Sequence, residues 1–92
     1  MELQDIRKEI DGVDGELVAL FCRRMELSAK VAKIKKESGM PVLCEERERE
    51  LLLRVSEMSG KNFEEYTKEL YSTILGLSRA YQESILCKEG GK

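Results

Sequence analysis

The sequence predicts an all-α fold, with three helices per chain, one long and N-terminal and two shorter, in an intertwined helical-bundle homodimer. Three observations carry this prediction. From Leu3 to Ile34 a heptad never slips: Leu3, Ile10, Leu17, Arg24 and Val31 share one seam position, and Ile6, Val13, Leu20, Leu27 and Ile34 share the other. Charged residues make up 37% of the 92 residues and aromatics 5%, a balance common in helical bundles and uncommon in β-sandwiches. A helix of roughly 35 residues also extends about 50 Å, beyond the diameter of a compact domain of this size. Two short helices cannot cover its seam, whereas a second copy with its long helix antiparallel would.

The first helix is expected over residues 3–37. Glu2 and Asp5 suit the positive end of its dipole, and Lys33, Lys35 and Lys36 suit the negative end. Gly12 and Gly15 each cost about 1 kcal/mol against alanine in a helix interior, and each Asp-Gly is also a hairpin-turn signal. The register is identical on both sides of them and no strand-like alternation flanks them, so the helix is read through. Gly39 is the expected left-handed cap, and Pro41 marks the stop.

The second helix is expected over 45–58, with Leu51, Leu52, Val55 and Met58 on its apolar side. Arg47 and Glu48 lie one turn before Leu51 and Leu52, so they point towards the interior side. Ser59-Gly60-Lys61 is the next break. Asn62 with Glu65 three residues on resembles a capping box, which starts the third helix at 62 and carries it to 87. Its apolar stripe is Phe63, Tyr66, Leu70, Ile74, Leu77, Tyr81 and Ile85. A second stripe of Tyr71, Leu75, Ser78, Gln82 and Leu86 lies beside it, and residues 87–92 are expected to fray.

The 92 residues read as a single domain. A net charge of −2, with basic and acidic residues interspersed, argues against nucleic acid as a partner. No stretch has the length of a membrane span and the first residues lack the apolar core of a signal peptide, so a cytoplasmic location is expected. Cys22, Cys44 and Cys87 are odd in number and lack a C-x-x-C spacing, so reduced thiols are expected and no metal site. Histidine is absent, which removes the usual nucleophile pairs and the commonest metal ligand. An enzyme built from this chain works with charge and hydrogen bonds.

Arg24 is the polar exception on the long seam. Desolvating a guanidinium costs several kcal/mol unless an anion meets it. Lys35 follows eleven residues later, three turns and about 16 Å on, so both side chains point the same way and can bracket a small anion. Arg7 lies about 25 Å from Arg24 along the axis and about 100° around it, so it can serve the same ligand only from another subunit. Each of these residues also has a plainer reading. Arg24 pairs with an internal glutamate, Lys35 caps a helix C-terminus, and Arg7 is a solvated charge. Arg47 and Glu48 then belong to a solvated acid-base run, and Ser78 and Gln82 make ordinary inter-helix hydrogen bonds. Their joint placement on inward stripes favours a binding site.

The ordered set Ile6-Arg7-Lys8-Glu9-Ile10-Asp11, Arg23-Arg24-Met25-Glu26-Leu27, Lys33-Ile34-Lys35, Pro41-Val42, Glu46-Arg47-Glu48-Arg49-Glu50 and Ser78-Arg79-Ala80-Tyr81-Gln82 resembles the all-helical class of chorismate mutases. The resemblance spans nearly the whole chain. It implies the Claisen rearrangement of chorismate to prephenate on the route to phenylalanine and tyrosine, without cofactor, proton transfer or covalent intermediate. By position, it assigns the substrate carboxylates to Arg24 and to Arg7 of the partner subunit. Lys35 matches the lysine that reaches a carboxylate and the ether oxygen, with Gln82 the second donor to that oxygen. Glu48 matches the acceptor for the ring hydroxyl, Ser78 a carboxylate contact and Arg47 an electrostatic position at the rim. Cys44 stands where better-known members carry an aspartate near the ring hydroxyl. No dehydratase, dehydrogenase or amino-acid-sensing domain is attached, so a stand-alone enzyme is expected. Two competing expectations are an isochorismate-pyruvate lyase, which resembles the same family, and a non-enzymatic helical dimerisation module.

Overall fold

The structure, a computed structural model, describes residues 2–90 and contains three helices: α1 (Leu3–Ser38), α2 (Glu45–Ser59) and α3 (Glu64–Gly90). Among the described residues there is no strand, as expected for an all-α chain. The ends of α1 and α2 fall within a residue of expectation. At the start of α1 the Glu2 backbone N–H donates to Asp5 Oδ2 at 3.2 Å. The helix passes through Gly12 and Gly15 without a break. It stops at Gly39, whose φ of +71° lies in the left-handed region that a side chain disfavours. The Gly39 N–H donates to Lys36 O at 3.3 Å and the Met40 N–H to Lys35 O at 2.8 Å, closing the last carbonyls in a Schellman arrangement.

Two expectations for α3 need correction. Asn62 does not cap it: residues 61–63 form a turn, with the Phe63 N–H bonded to Gly60 O at 3.2 Å. The first helical bond runs from the Thr67 N–H to Phe63 O at 2.8 Å, so the helix opens at Glu64. The turn consumes the two residues that the capping-box pattern placed inside the helix. At the other end α3 continues to Gly90, three residues past the expected stop. Gly91 and Lys92, the end of the tail expected to fray, lie outside the described residues.

The two stripes of α3 differ in burial. The stripe from Phe63 to Ile85 is not the chain's own core: Phe63, Tyr66, Leu70, Leu77 and Tyr81 are exposed. The neighbouring stripe is the one that packs, with Leu75, Ser78 and Gln82 all buried. On α2 Val55 and Ser56 are buried while Met58 is exposed. α3 packs against both α1 and α2, whereas α1 and α2 do not pack on each other. The gap left between them is floored by α3, and most of the residues expected at a site line it.

α1 meets α3 only along its second half, where Ser28 and Ala32 are buried and Arg24 and Lys35 half-buried. Every residue from 2 to 20 is exposed. The heptad seam itself is open to solvent along its length, with Leu17 54% exposed and Leu20 63% exposed. The result is a body of 57 × 27 × 14 Å from which half a helix projects.

Candidate active site

A cleft of about 340 Å³ opens between α1 and α2. α1 contributes Arg24, Ser28 and Lys35 to its wall, with Leu27 and Val31 between them. These positions recur every three or four residues, the spacing that keeps side chains on one helical face. The connection after α1 adds Val42 and Cys44, and α2 adds Arg47, Glu48 and Leu51. α3 supplies the floor: Leu75, Ser78, Arg79 and Gln82. Seven of the eight residues expected at a site thus line one cavity. Arg7 does not; it lies on the exposed half of α1.

Arg24 has no carboxylate within ion-pairing distance among the described residues. Its guanidinium carbon sits 5.9 Å from the centre of the Tyr71 ring, an aromatic support from α3. The plainer reading of Arg24 as half of an internal salt bridge therefore fails. Lys35 Nζ donates to Val42 O at 2.6 Å, which ties the end of α1 to the connection and leaves further ammonium protons for a ligand. Cys44 is the residue before α2, exposed, and its side chain makes no cap to the helix. Arg47 is exposed at the opening.

The floor holds a buried polar chain. Ser28 Oγ and Ser78 Oγ are 2.7 Å apart, linking α1 to α3. Gln82 Nε2 donates to Ser78 Oγ at 3.2 Å, one turn along α3. Gln82 Oε1 is buried and has no hydrogen-bond partner among the described residues. An unsatisfied buried acceptor costs about 1–3 kcal/mol, and such atoms in native sites call for a ligand or a role.

Glu48, expected as a free acceptor, is held by Arg79: Nη1 lies 2.5 Å from both carboxylate oxygens. Two participants were therefore missed from sequence, Ser28 and Arg79. Ser28 falls one turn after Arg24 on the same face, a polar residue at a position otherwise suited to alanine or leucine. Arg79 follows Ser78 directly, and only its reach back along α3 towards α2 brings it to the cleft.

Cationic side chains from three helices, a single carboxylate already paired and a buried amide short of a partner meet in one cleft of an all-helical chain. A family model described as chorismate mutase type II matches residues 6–83. The chain belongs to the type II chorismate mutase family. It is 39% identical over 78 residues to the intracellular chorismate mutase of Mycobacterium tuberculosis, covering 85% of this chain and 70% of that protein. Over 87 residues it is 31% identical to the bifunctional chorismate mutase/prephenate dehydratase of Aquifex aeolicus, covering 91% of this chain. With the T-protein of Haemophilus influenzae it shares 48% identity over 46 residues, half of this chain. The matched region spans 22% of the Aquifex protein and 12% of the Haemophilus protein.

Proposed function

We propose that this cleft rearranges chorismate to prephenate as one step of aromatic amino-acid biosynthesis. The observation that carries the reading is Arg24, half-buried, without a carboxylate partner, in a cavity whose other free charges are also positive. The substrate is a dianion. Arg24 and Lys35, three turns apart on one face of α1, bracket it and take its carboxylates, with Ser78 holding the Gln82 amide beneath it. Gripping both ends holds the flexible enolpyruvyl group over the ring in the reactive pose, which lowers the entropic part of the barrier. As the ether bond breaks, negative charge builds on its oxygen, and Lys35 with Gln82 donates to it. Fixed donors aimed at developing charge are worth most in a cleft that excludes water. Arg47 adds positive potential at the opening, Glu48 accepts from the ring hydroxyl, and Cys44 lies where that hydroxyl is approached. No proton transfer or covalent bond to the protein is needed.

The site is completed by a second copy of the chain. The exposed seam of α1 and the fully exposed run from 2 to 20 support this assembly. An antiparallel partner helix covers the apolar seam and brings Arg7 of the partner subunit to the open side of the cleft. Among the described residues no helix is long and apolar enough to cross a membrane. The three cysteines are free, in keeping with a reducing cytoplasm as the place of action.

Incubation of the purified protein with chorismate is the direct test, with prephenate the expected product. Salicylate and pyruvate from isochorismate, without prephenate from chorismate, would reassign the site to the lyase reaction. Inertness towards both would leave a helical dimerisation module. Arg24→Ala, Lys35→Ala and Gln82→Ala should each lower kcat/KM at least about 100-fold while the dimer persists. Turnover like wild type in Gln82→Ala would remove that residue from the transition state.

A further inference from the structure

Among the described residues Glu48 is the one carboxylate lining the cleft, and it shares the space with Arg24, Lys35, Arg47 and Arg79. A carboxylate tethered among cations is an internal competitor for any anionic ligand, because each cation it neutralises is lost to the guest. Here it rests on none of Arg24, Lys35 and Arg47. Both of its oxygens are taken by Arg79 Nη1, from the opposite helix. Arg79 reaches that point by lying back along α3. Its Nη2 passes 3.8 Å from where a Cβ on Gly76 would stand, so the guanidinium crosses a residue without a side chain. Folding back over the preceding turn is the direction helical side chains prefer. Gly76 is an interior helix residue, where glycine costs about 1 kcal/mol against alanine, and space for the guanidinium is a return on that cost.

We propose that Arg79 is a positioning residue that sequesters Glu48. It keeps the carboxylate off the three cations that meet the ligand, and it presents the remaining lone pairs to a ligand hydroxyl. A carboxylate has about four lone-pair sites, so an oxygen bonded to Arg79 still accepts from a hydroxyl. The inference deepens the reading of the cleft as a site for a hydroxylated dianion and rests on it. Without Arg79, Glu48 swings onto Arg24, Lys35 or Arg47 and closes the site from within. If it occupies those cations nine-tenths of the time, apparent affinity falls about tenfold while the chemistry of the bound state is untouched.

Steady-state kinetics on chorismate with Arg79→Met, which keeps the stem and removes the charge, should show KM raised about tenfold and kcat within about twofold. Arg79→Lys should recover most of the affinity. In a Glu48→Gln background the same Arg79→Met change should alter KM less than about twofold, because a neutral amide does not compete. An unchanged KM in Arg79→Met overturns the proposal. So does an equal rise in the Glu48→Gln background, which would make Arg79 a direct ligand contact. If Arg79→Met does not fold, Gly76→Leu crowds the guanidinium's path while favouring the helix, and should raise KM in the same direction; no rise overturns the proposal. Titration with malonate, followed by backbone amide NMR shifts, reads the competition without turnover. Arg79→Met should weaken malonate about tenfold only when Glu48 is present. A wild-type protein that leaves chorismate unchanged sinks the activity alone, whereas equal malonate binding with and without Arg79 sinks the sequestering role.

Discussion

The buried amide of Gln82 is where the floor of the cleft can be read most closely. With Nε2 given to Ser78, Oε1 is left buried and unbonded. The same atoms accept the reversed amide, in which Ser28 donates to Ser78, Ser78 donates to Oε1, and the NH₂ group is released to the cleft. Only the second polarity satisfies the acceptor and supplies a donor for an ether oxygen. Ser28 then fixes the direction of the chain from its far end. Ser28→Ala removes one hydrogen bond worth about 0.5–1.5 kcal/mol, so kcat should drop about 2- to 12-fold with KM nearly constant. A Ser28→Ala enzyme with unaltered kcat would show that Gln82 needs no such guidance. Arg24 was legible in the sequence because a guanidinium on an apolar seam contradicts its surroundings. Ser28 and Arg79 were not, because a serine in a helix and an arginine beside a polar stripe contradict nothing. Their roles come from partners on other helices, Ser78 at a separation of 50 residues and Glu48 at 31.

For whole helices, periodicity located α1 and α2 to within a residue, and the left-handed Gly39 stop followed from chemistry written locally. The opening of α3 was misread because the Asn62 pattern is equally at home in the turn of residues 61–63. Of the two stripes of α3, the one with Ser78 and Gln82 faces inward, as expected. Spacing alone does not say whether the more apolar stripe also meets its own chain, and that stripe is left outside. Gly12 and Gly15 allow a direct check on α1. A Cβ at either would meet no atom within 4 Å beyond its neighbours and the adjacent backbone of α1, and both glycines fall off the seam in the heptad. Gly12→Ala and Gly15→Ala should therefore each stabilise the fold by about 1 kcal/mol in urea denaturation. Destabilisation by either change would mean that a partner helix passes over that face.

At the scale of the molecule, the imbalance between exposed and buried apolar residues sets the argument. Among the described residues the buried hydrophobic ones are Ala32, Val55 and Leu75, while nineteen large hydrophobic side chains are exposed, nine of them on the α1 heptad seam from Leu3 to Ile34. So small a core in a chain of this size supports the proposed dimer, because association supplies the burial that a single copy lacks. A dimer through α1 makes stability depend on concentration, so the unfolding midpoint should rise as protein is added. Leu17→Lys, at the middle of the seam, should dissociate the protein in analytical ultracentrifugation. The shared site adds a sharper expectation. Arg7 and Arg24 are too far apart on one helix to grip one ligand, so the proposed shared site would take Arg24 from one protomer and Arg7 from the other. Arg7→Ala and Arg24→Ala homodimers should each be nearly inactive. In a mixed dimer one site carries both lesions and the other neither. Equal amounts mixed under conditions of proven subunit exchange give half mixed dimers, so activity should return to about a quarter of the wild-type value. No recovery despite exchange would confine the whole site to a single chain and leave the exposed half of α1 with a purely structural duty.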